Sequence, residues 1–122
     1  MNTITINGEE YVKKSDIQAH EEAETFEGLP YVMVRTYSAG VFAGYLESRE
    51  GKEVKLRKAR RIWRWAGAAS LSELATKGTN NPKECKFPCE VESVELIEAI
   101  EIIPITKEAQ QSIQEVPVWT MN

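Results

Sequence analysis

The arginines of this chain are concentrated in one segment. All six lie between Arg35 and Arg64, and two of the three tryptophans, Trp63 and Trp65, stand at its end. Residues 31–64 carry a net charge of +6, whereas the segments on either side each carry −5. Guanidinium groups grip phosphate or carboxylate with paired hydrogen bonds, and an indole ring offers a flat face to a base. The combination indicates a nucleotide-like ligand.

Size and composition indicate what kind of protein contains this arginine-rich segment. With 122 residues, 42% of them hydrophobic, the chain matches one compact domain spanning residues 1–122. No apolar run approaches the roughly 20 residues of a membrane helix, and the N-terminus lacks the pattern of a signal peptide. We therefore expect a cytosolic protein with no membrane partner. The isoelectric point near 5.1 counts against a long nucleic acid as ligand, because such binders are usually basic.

The inventory of reactive side chains argues against catalysis and against a metal. Cys85 and Cys89 lie close together, but a closed zinc site needs four ligands and the single histidine, His20, is distant. Nucleophilic catalysis needs a base that this chain does not offer near a nucleophile. Ala66–Ala69 precedes a helix without the lysine of a phosphate-binding loop, which disfavours nucleotide hydrolysis. We expect no catalytic residue, no metal and no cofactor.

The first 30 residues read as a separate small unit. Thr3–Ile6 alternates like a strand, Asn7-Gly8 is a strong turn signal, and Glu9–Val12 can return as a second strand. Ser15 then precedes Asp16–Glu24, where early acidic residues suit a helix N-terminus. The sequence predicts a hairpin followed by an acidic helix.

The basic segment itself predicts a β-meander. Tyr31–Tyr37, Val41–Leu46 and Val54–Trp65 are rich in β-branched and aromatic residues and are separated by glycine-containing turns. Strict alternation along the third strand places Arg57, Arg61 and the tryptophans on one face. A bulge near Lys58–Arg60 would change that assignment and turn Trp63 or Trp65 toward the core.

The C-terminal half predicts short helices around a long strand. Ser70 and Glu73 form a capping box for a helix from Leu71 to about Lys77. Val91–Pro104 reads as one strand that bends midway, Thr106 caps a helix to about Ile113, and Val116–Trp119 returns as an edge strand. The fold class is therefore α+β, an antiparallel meander with two or three short helices. An exposed edge favours assembly through the sheet or the helices into a homo-oligomer.

Several blocks of this chain resemble a known family. The blocks are Tyr31–Gly44, Ala59–Trp63, Gly67–Leu71, Asn81-Pro82, Cys85–Phe87, Ile100–Ile103 and Val116–Trp119. They are similar to the small phage proteins called Thoeris anti-defence sponges of the first type. The resemblance covers residues 31–119, the family-like core, and leaves out residues 1–30.

The resemblance implies a function and a location. Such a protein sequesters, without cleaving, the cyclic ADP-ribose isomers made by a bacterial TIR-domain sensor, so that downstream effectors stay silent. It also implies binding of cyclic oligonucleotides and oligomers built from dimers, up to a hexamer, with pockets between protomers. The protein would act in the cytoplasm of the infected bacterial host.

The residue types of the patch match this implied ligand, a diphosphate joined to adenine and riboses. We predict that Arg57 and Arg61 bind phosphate, with Arg35 as the next candidate. The remaining predicted ligand-binding residues are Ser38, Ala39 and Gly40 for close backbone approach, Tyr37, Trp63 or Phe87 for stacking, and Asn80 or Asn81 for reading a base edge. The alternative is that the aromatics are core and the arginines pair with Glu47, Glu50 or Glu92–Glu101.

Two other functions use the same residues. A small nucleic-acid-binding module could use the arginine and tryptophan strand, and an enzyme could degrade the nucleotide. Intact ligand recovered after heat denaturation of the complex would exclude the enzyme.

Overall fold

The computed structural model describes residues 20–121. Within them lie five strands and two α-helices, with a short 3-10 turn at Pro82–Glu84 between α1 and β4. Their bounds are β1 Tyr31–Thr36, β2 Val41–Glu50, β3 Glu53–Arg61, α1 Leu71–Lys77, β4 Glu90–Leu96, β5 Ala99–Pro104 and α2 Lys107–Glu115. All neighbouring strands are antiparallel. The predicted α+β class is confirmed, and the predicted hairpin of residues 3–12 lies outside the described residues.

The sheet is strongly curved because its two edge strands are consecutive in the chain. The strand order is β4-β3-β2-β1-β5, so β4 and β5 lie at opposite edges although only Ile97 and Glu98 separate them. Four strand spacings across a flat sheet would measure about 19 Å, since adjacent strands lie about 4.8 Å apart. The three peptide units from Leu96 to Ala99 reach at most about 11 Å. The sheet therefore curls. The predicted single strand over residues 91–104 is corrected: the run forms two strands, β4 and β5, which pair with β3 and β1 at opposite edges of the sheet.

Apolar clusters lie on both faces of the curved sheet, centred on β1, β2 and β3, whereas the edge strands β4 and β5 are mostly exposed. Alternate residues of β1 point in opposite directions, so Val32 and Val34 belong to one apolar cluster and Tyr31 and Met33 to another. The inner cluster consists of strand residues alone: Val32, Val34, Phe42, Val54, Leu56, Ala59 and Leu96. The outer cluster adds residues of both helices, so the helices cover the outer face.

A bulge interrupts β3 at Lys58 and reverses the facing of the residues after it. Ala43 pairs with Arg60 and Tyr45 with Arg57, so β3 uses three residue steps where β2 uses two. Lys58 adopts φ 50°, a left-handed conformation. A Cβ on Gly44, opposite the bulge, would come within 3.1 Å of the backbone at Arg57 and Ala59. The structure thus has the bulge that the sequence left open as the alternative to strict alternation, and glycine at position 44 provides the space for it. The bulge does not bring a tryptophan to the face of Val54 and Leu56, because Trp65 packs against the outer cluster.

The predicted third strand is too long at its end. Bonding to β2 ends with the amide of Ile62, which donates to the carbonyl of Val41, and the amides of Trp63 and Arg64 both donate to the carbonyl of Lys86 instead. The chain thus leaves β2 for the segment before β4. Trp65 packs partly against the outer cluster, whereas Trp63 stays exposed.

The two helices begin where the sequence predicts. Ser70 Oγ accepts the amide of Glu73, and the Glu73 carboxylate accepts the amide of Ala69. Thr106 Oγ1 accepts the amide of Ala109 at the start of α2. Local capping chemistry is sufficient to place both starts.

Two predicted elements are corrected. Residues 20–24, the described part of the predicted acidic helix, are extended, and Gln110 bonds both the amide and the carbonyl of Glu24. This part has little apolar face for a helix to bury, so backbone pairing with α2 takes its place. Val116–Trp119 makes a single parallel bridge, between Phe87 and Val118, and is not an edge strand.

Candidate functional site

Two of the three predicted phosphate-binding arginines are held by carboxylates. Arg35 Nε lies 2.8 Å from Glu101 Oε1, and Arg57 Nη2 lies 2.8 Å from Glu92 Oε2. The hydrogen bond to Glu92 raises the pKa of Arg57, and the same bond is the main cause of the lowered pKa of Glu92. For Arg35 and Arg57 the structure therefore shows the alternative of ion pairing.

The bulge separates the two arginines that strict alternation placed together. Arg57 lies before Lys58 on the outer face, with its guanidinium 5.6 Å from the Phe26 ring centre. Arg61 lies after it on the inner face, with its guanidinium 4.4 Å from the ring centre of Phe42, a member of the inner cluster. One diphosphate on a single protomer cannot be clamped by both side chains in this arrangement.

Arg61 is fixed at the turn between β1 and β2. Its Nη1 donates to the carbonyl of Ala39 at 2.6 Å, and its flat face covers Phe42. Gly40 has φ 95°, and its carbonyl accepts both the amide and the hydroxyl of Thr36. Among residues 20–121, Arg61 has no carboxylate partner. The turn therefore presents a guanidinium that is held in place but not neutralised.

Other predicted residues of this turn differ in availability. Tyr37 is 78% exposed, and its amide donates to the carbonyl of Glu98. The hydroxyl of Ser38 donates to the Glu98 carboxylate at 2.9 Å. Trp63, two residues after Arg61, is 62% exposed. The structure thus brings Tyr37, Ser38, Ala39, Gly40 and Arg61 together, with Trp63 close along the chain.

The remaining predicted residues lie elsewhere. Phe87 is fully buried in the outer cluster, so its predicted stacking role is wrong for this structure. The backbone amide of Asn80 donates to the carbonyl of Gly67, and the backbone amide of Asn81 donates to the hydroxyl of Thr79, within a loop beside Cys85. Neither asparagine contacts the turn through these bonds.

Arg60, next to Arg61, is a buried cation that the sequence prediction did not single out. It is 5% exposed and donates to three carbonyls, those of Phe87, Pro88 and Ile113. Burial lowers its pKa. The signal in the sequence was its position two residues before Ile62, because alternate residues of a strand lie on the same face and an isoleucine favours burial. Ile62 is indeed buried.

A second polar site lies on the outer face, and the sequence prediction missed it. A cleft of about 350 Å³ is lined by Tyr31, Tyr45, Lys58, Arg60, Glu90 and Gln114, with Val118 as its aliphatic member. The polar side chains come from β1, β2, β3, β4 and α2. Because they are far apart in the sequence, no local motif marks the cleft.

Comparison with known proteins gives one match. A family model described as Domain of unknown function (DUF6948) matches residues 29–113. The chain belongs to this family. The DUF6948 match begins just after the Glu27-Gly28 turn and contains all five strands, α1 and most of α2. No curated protein matches the chain. No solved structure matches it either.

Two further observations concern the described part of the DUF6948 chain. Between residues 20 and 121 no helix is both long and apolar enough to cross a membrane. In the same range no group of three or more His, Cys, Asp or Glu side chains is placed to hold a metal ion.

Proposed function

We propose that this protein is a non-catalytic phage anti-defence protein that sequesters cyclic ADP-ribose signals. A single observation carries the proposal: Arg61 is fixed at the surface by a neutral carbonyl and an aromatic ring, with no carboxylate partner in the described chain. A guanidinium held in this way can bind a diphosphate without giving up an ion pair. The family resemblance of residues 31–119 supplies the identity of the ligand.

Preorganisation makes Arg61 suited to phosphate. A guanidinium has five N–H donors, and the bond to Ala39 uses one of them. Its plane is already restrained by Phe42, so binding costs less side-chain entropy than it would for a mobile arginine. Paired hydrogen bonds from the remaining donors fit two oxygens of a phosphate.

The neighbouring exposed aromatics provide the surface for a base. Tyr37 and Trp63 are exposed aromatic side chains that lie within three residues of Gly40 and Arg61, respectively, and each has more than half its surface exposed. Stacking of a base on an aromatic ring contributes about 1–3 kcal/mol. The backbone at Ala39 and Gly40 lets a ligand approach closely, because neither residue has a bulky side chain.

We further propose that the protein works as a homo-oligomer in the cytoplasm of the infected host cell. Ile97 and Ile100, at the bend between β4 and β5, are exposed and suit contact with a second copy. An interface there would shield them from water. A monomer by light scattering at micromolar concentration would contradict this part of the proposal.

Calorimetric titration with each cyclic ADP-ribose isomer tests the function. A sponge must bind more tightly than the effector it starves, so we expect nanomolar affinity, about −12 kcal/mol. Heat denaturation of the complex should release intact ligand. Recovery of a cleaved product would identify an enzyme, and millimolar binding of every isomer would exclude a sponge.

Arg57 supplies the matched control for the site. Arg61→Ala should weaken binding by about 2–5 kcal/mol, and Arg61→Lys should recover only part of it, since an ammonium cannot form the planar fork. Arg57→Ala should leave the affinity for the ligand unchanged, because the Arg57 guanidinium forms an ion pair with Glu92 on the other face of the sheet. Equal effects of Arg57→Ala and Arg61→Ala would refute the assignment of the site to the turn.

A further inference from the structure

The outer-face cleft has more hydrogen-bond donors than its own acceptors use. Tyr45 Oη accepts the side-chain amides of Gln110 at 3.3 Å and Gln114 at 3.2 Å, which leaves its hydrogen to donate elsewhere. Arg60 donates from each of its three nitrogens to one carbonyl, and a guanidinium has five N–H groups. Two of these donors remain. The cleft therefore favours a ligand that accepts several hydrogen bonds.

Tyr31 adds a buried phenol to these donors. It is 4% exposed, and its ring packs 4.8 Å from that of Tyr45. Burial raises the pKa of Tyr31, and the nearby Tyr45 and Glu90 raise it further, while Gln114 and Arg60 oppose the shift. The phenol thus stays protonated and can donate a hydrogen bond at any physiological pH.

The bulge directs a cation to the same cleft. Lys58 lines the cleft and adopts φ 50°, a conformation that glycine tolerates far better than any side chain. Its ammonium lies 3.8 Å from Glu92 and 5.0 Å from the ring centre of Phe26, both partly exposed contacts. Such contacts are weak. A strained lysine in place of glycine suggests that its charge has a use at this position.

Glu90 is the one carboxylate in the lining, and it restricts which anion fits. A fully ionised oxyanion such as sulfate would meet it with repulsion alone. A phosphate that still carries a proton can donate that hydrogen to the carboxylate while its other oxygens accept from the phenols, Lys58 and Arg60. A carboxylate among donors therefore selects a protonated phosphate.

We propose that this cleft is a binding site for a phosphate group, either free inorganic phosphate or a small phosphate monoester. Its volume of about 350 Å³ lies near the lower limit for ligand pockets and suits one small molecule. The site is separate from the turn at Arg61, which lies on the inner side of the sheet. Its existence does not depend on the proposed sponge function.

Thermal unfolding of the intact chain at pH 6.0 tests the site. A monoester has its second pKa near 6, so about half carries a proton there. We expect inorganic phosphate to raise the Tm and sulfate at equal ionic strength to raise it much less. At ten times its Kd, phosphate should shift the folding equilibrium about elevenfold toward the native state. A larger shift with adenosine monophosphate would assign the site to a monoester, and a larger shift with inorganic phosphate would assign it to the free anion.

Three variants separate this cleft from the rest of the surface. Lys58→Gly keeps the bulge without the ammonium and should abolish most of the phosphate response, as should Tyr45→Phe. Glu27→Gly is the matched control, because Glu27 also has positive φ, 53°, but lies outside the cleft lining. It should respond like the wild type. Arg61→Ala should also retain the phosphate response, which distinguishes this cleft from the turn.

Two results would overturn the proposal. One is equal stabilisation of the wild type by phosphate and sulfate, because the cleft would then show no preference for a protonated anion. The other is a wild-type phosphate response in both Lys58→Gly and Tyr45→Phe. If Glu90→Gln equalises phosphate and sulfate, the carboxylate is the selective group.

Discussion

Replacing Arg60 by methionine tests whether the buried guanidinium stabilises the fold. The change keeps an unbranched side chain of similar length and removes the charge and three hydrogen bonds. The carbonyl of Phe87 also accepts the Trp119 amide, and that of Ile113 accepts the Val116 amide. In the variant these two carbonyls would each keep one hydrogen bond. They would lose only the bond to Arg60.

The magnitude follows from those bonds. A hydrogen bond to a charged group contributes about 1.5–3 kcal/mol net, and three from one side chain are not additive. Removing the guanidinium also removes the cost of burying it. We therefore expect Arg60→Met to lower the free energy of unfolding by about 3–5 kcal/mol, less than three such bonds would give if they were additive, because the cost of burying the guanidinium is recovered. Arg60→Lys should lose less, because its ammonium can still reach one or two of the carbonyls.

Urea unfolding followed by circular dichroism measures the effect. With an m-value of about 2 kcal/mol/M, the midpoint should fall by about 1.5–2.5 M at unchanged m. Arg61→Met, at the adjacent exposed position, is the control and should cost less than about 1 kcal/mol. A loss below about 1 kcal/mol for Arg60→Met would refute the reasoning, since desolvation of the guanidinium would then cancel its three bonds.

Three further outcomes are expected. Gly78→Ala should destabilise the fold by more than about 2 kcal/mol in urea unfolding, because residue 78 has φ 79° and its Cβ would collide with the Ser112 side chain. Gly51→Ala, with φ 63° and open space, should cost only about 1 kcal/mol, and equal losses would contradict the steric argument. Thr106→Ala should lower stability by about 1–2 kcal/mol, since Thr106 caps α2 and donates to the carbonyl of Thr76; an unchanged midpoint would show that the cap is dispensable. Tyr31 has a raised pKa, so its contribution is complete below pH 10 and is lost as pH rises through the native pKa; Tyr31→Phe should flatten the fall in Tm above pH 10, and a parallel curve would contradict this.

Local chemistry accounts for most of what the sequence predicted correctly. Ser70 and Thr106 cap helices through atoms three residues away, so a short window of sequence contains the whole interaction. The sequence raised a bulge near Lys58–Arg60 as the alternative to strict alternation, because strict alternation left neither face of β3 apolar. The apolar run of Val91–Pro104 indicated β structure, but its division into two strands with different partners did not follow from the run itself.

Long-range partners account for what the sequence left open or predicted wrongly. Arg57 pairs with Glu92, 35 positions away, only because the register of β3 and β4 places them together. Arg60 reaches Ile113 across 53 positions. Phe87 stands between polar and proline neighbours that give no sign of its burial. The sequence thus indicated an arginine-rich surface, and the pairing of strands decided which of the three predicted phosphate-binding arginines remained without a carboxylate.

The position of β4 and β5, consecutive in the chain but at opposite edges of the sheet, has a consequence for how the chain folds. β1, β2 and β3 can form by local hairpin closure, whereas β5 must pair with β1, more than 60 positions earlier. We expect the hairpins to form early and β5 to join late, so substitutions in β5 should speed unfolding more than they slow folding. Once β5 has joined β1, the short link between β4 and β5 connects the two edges of the sheet. Opening at either edge then requires release of the same piece of chain, which makes unfolding of the sheet cooperative.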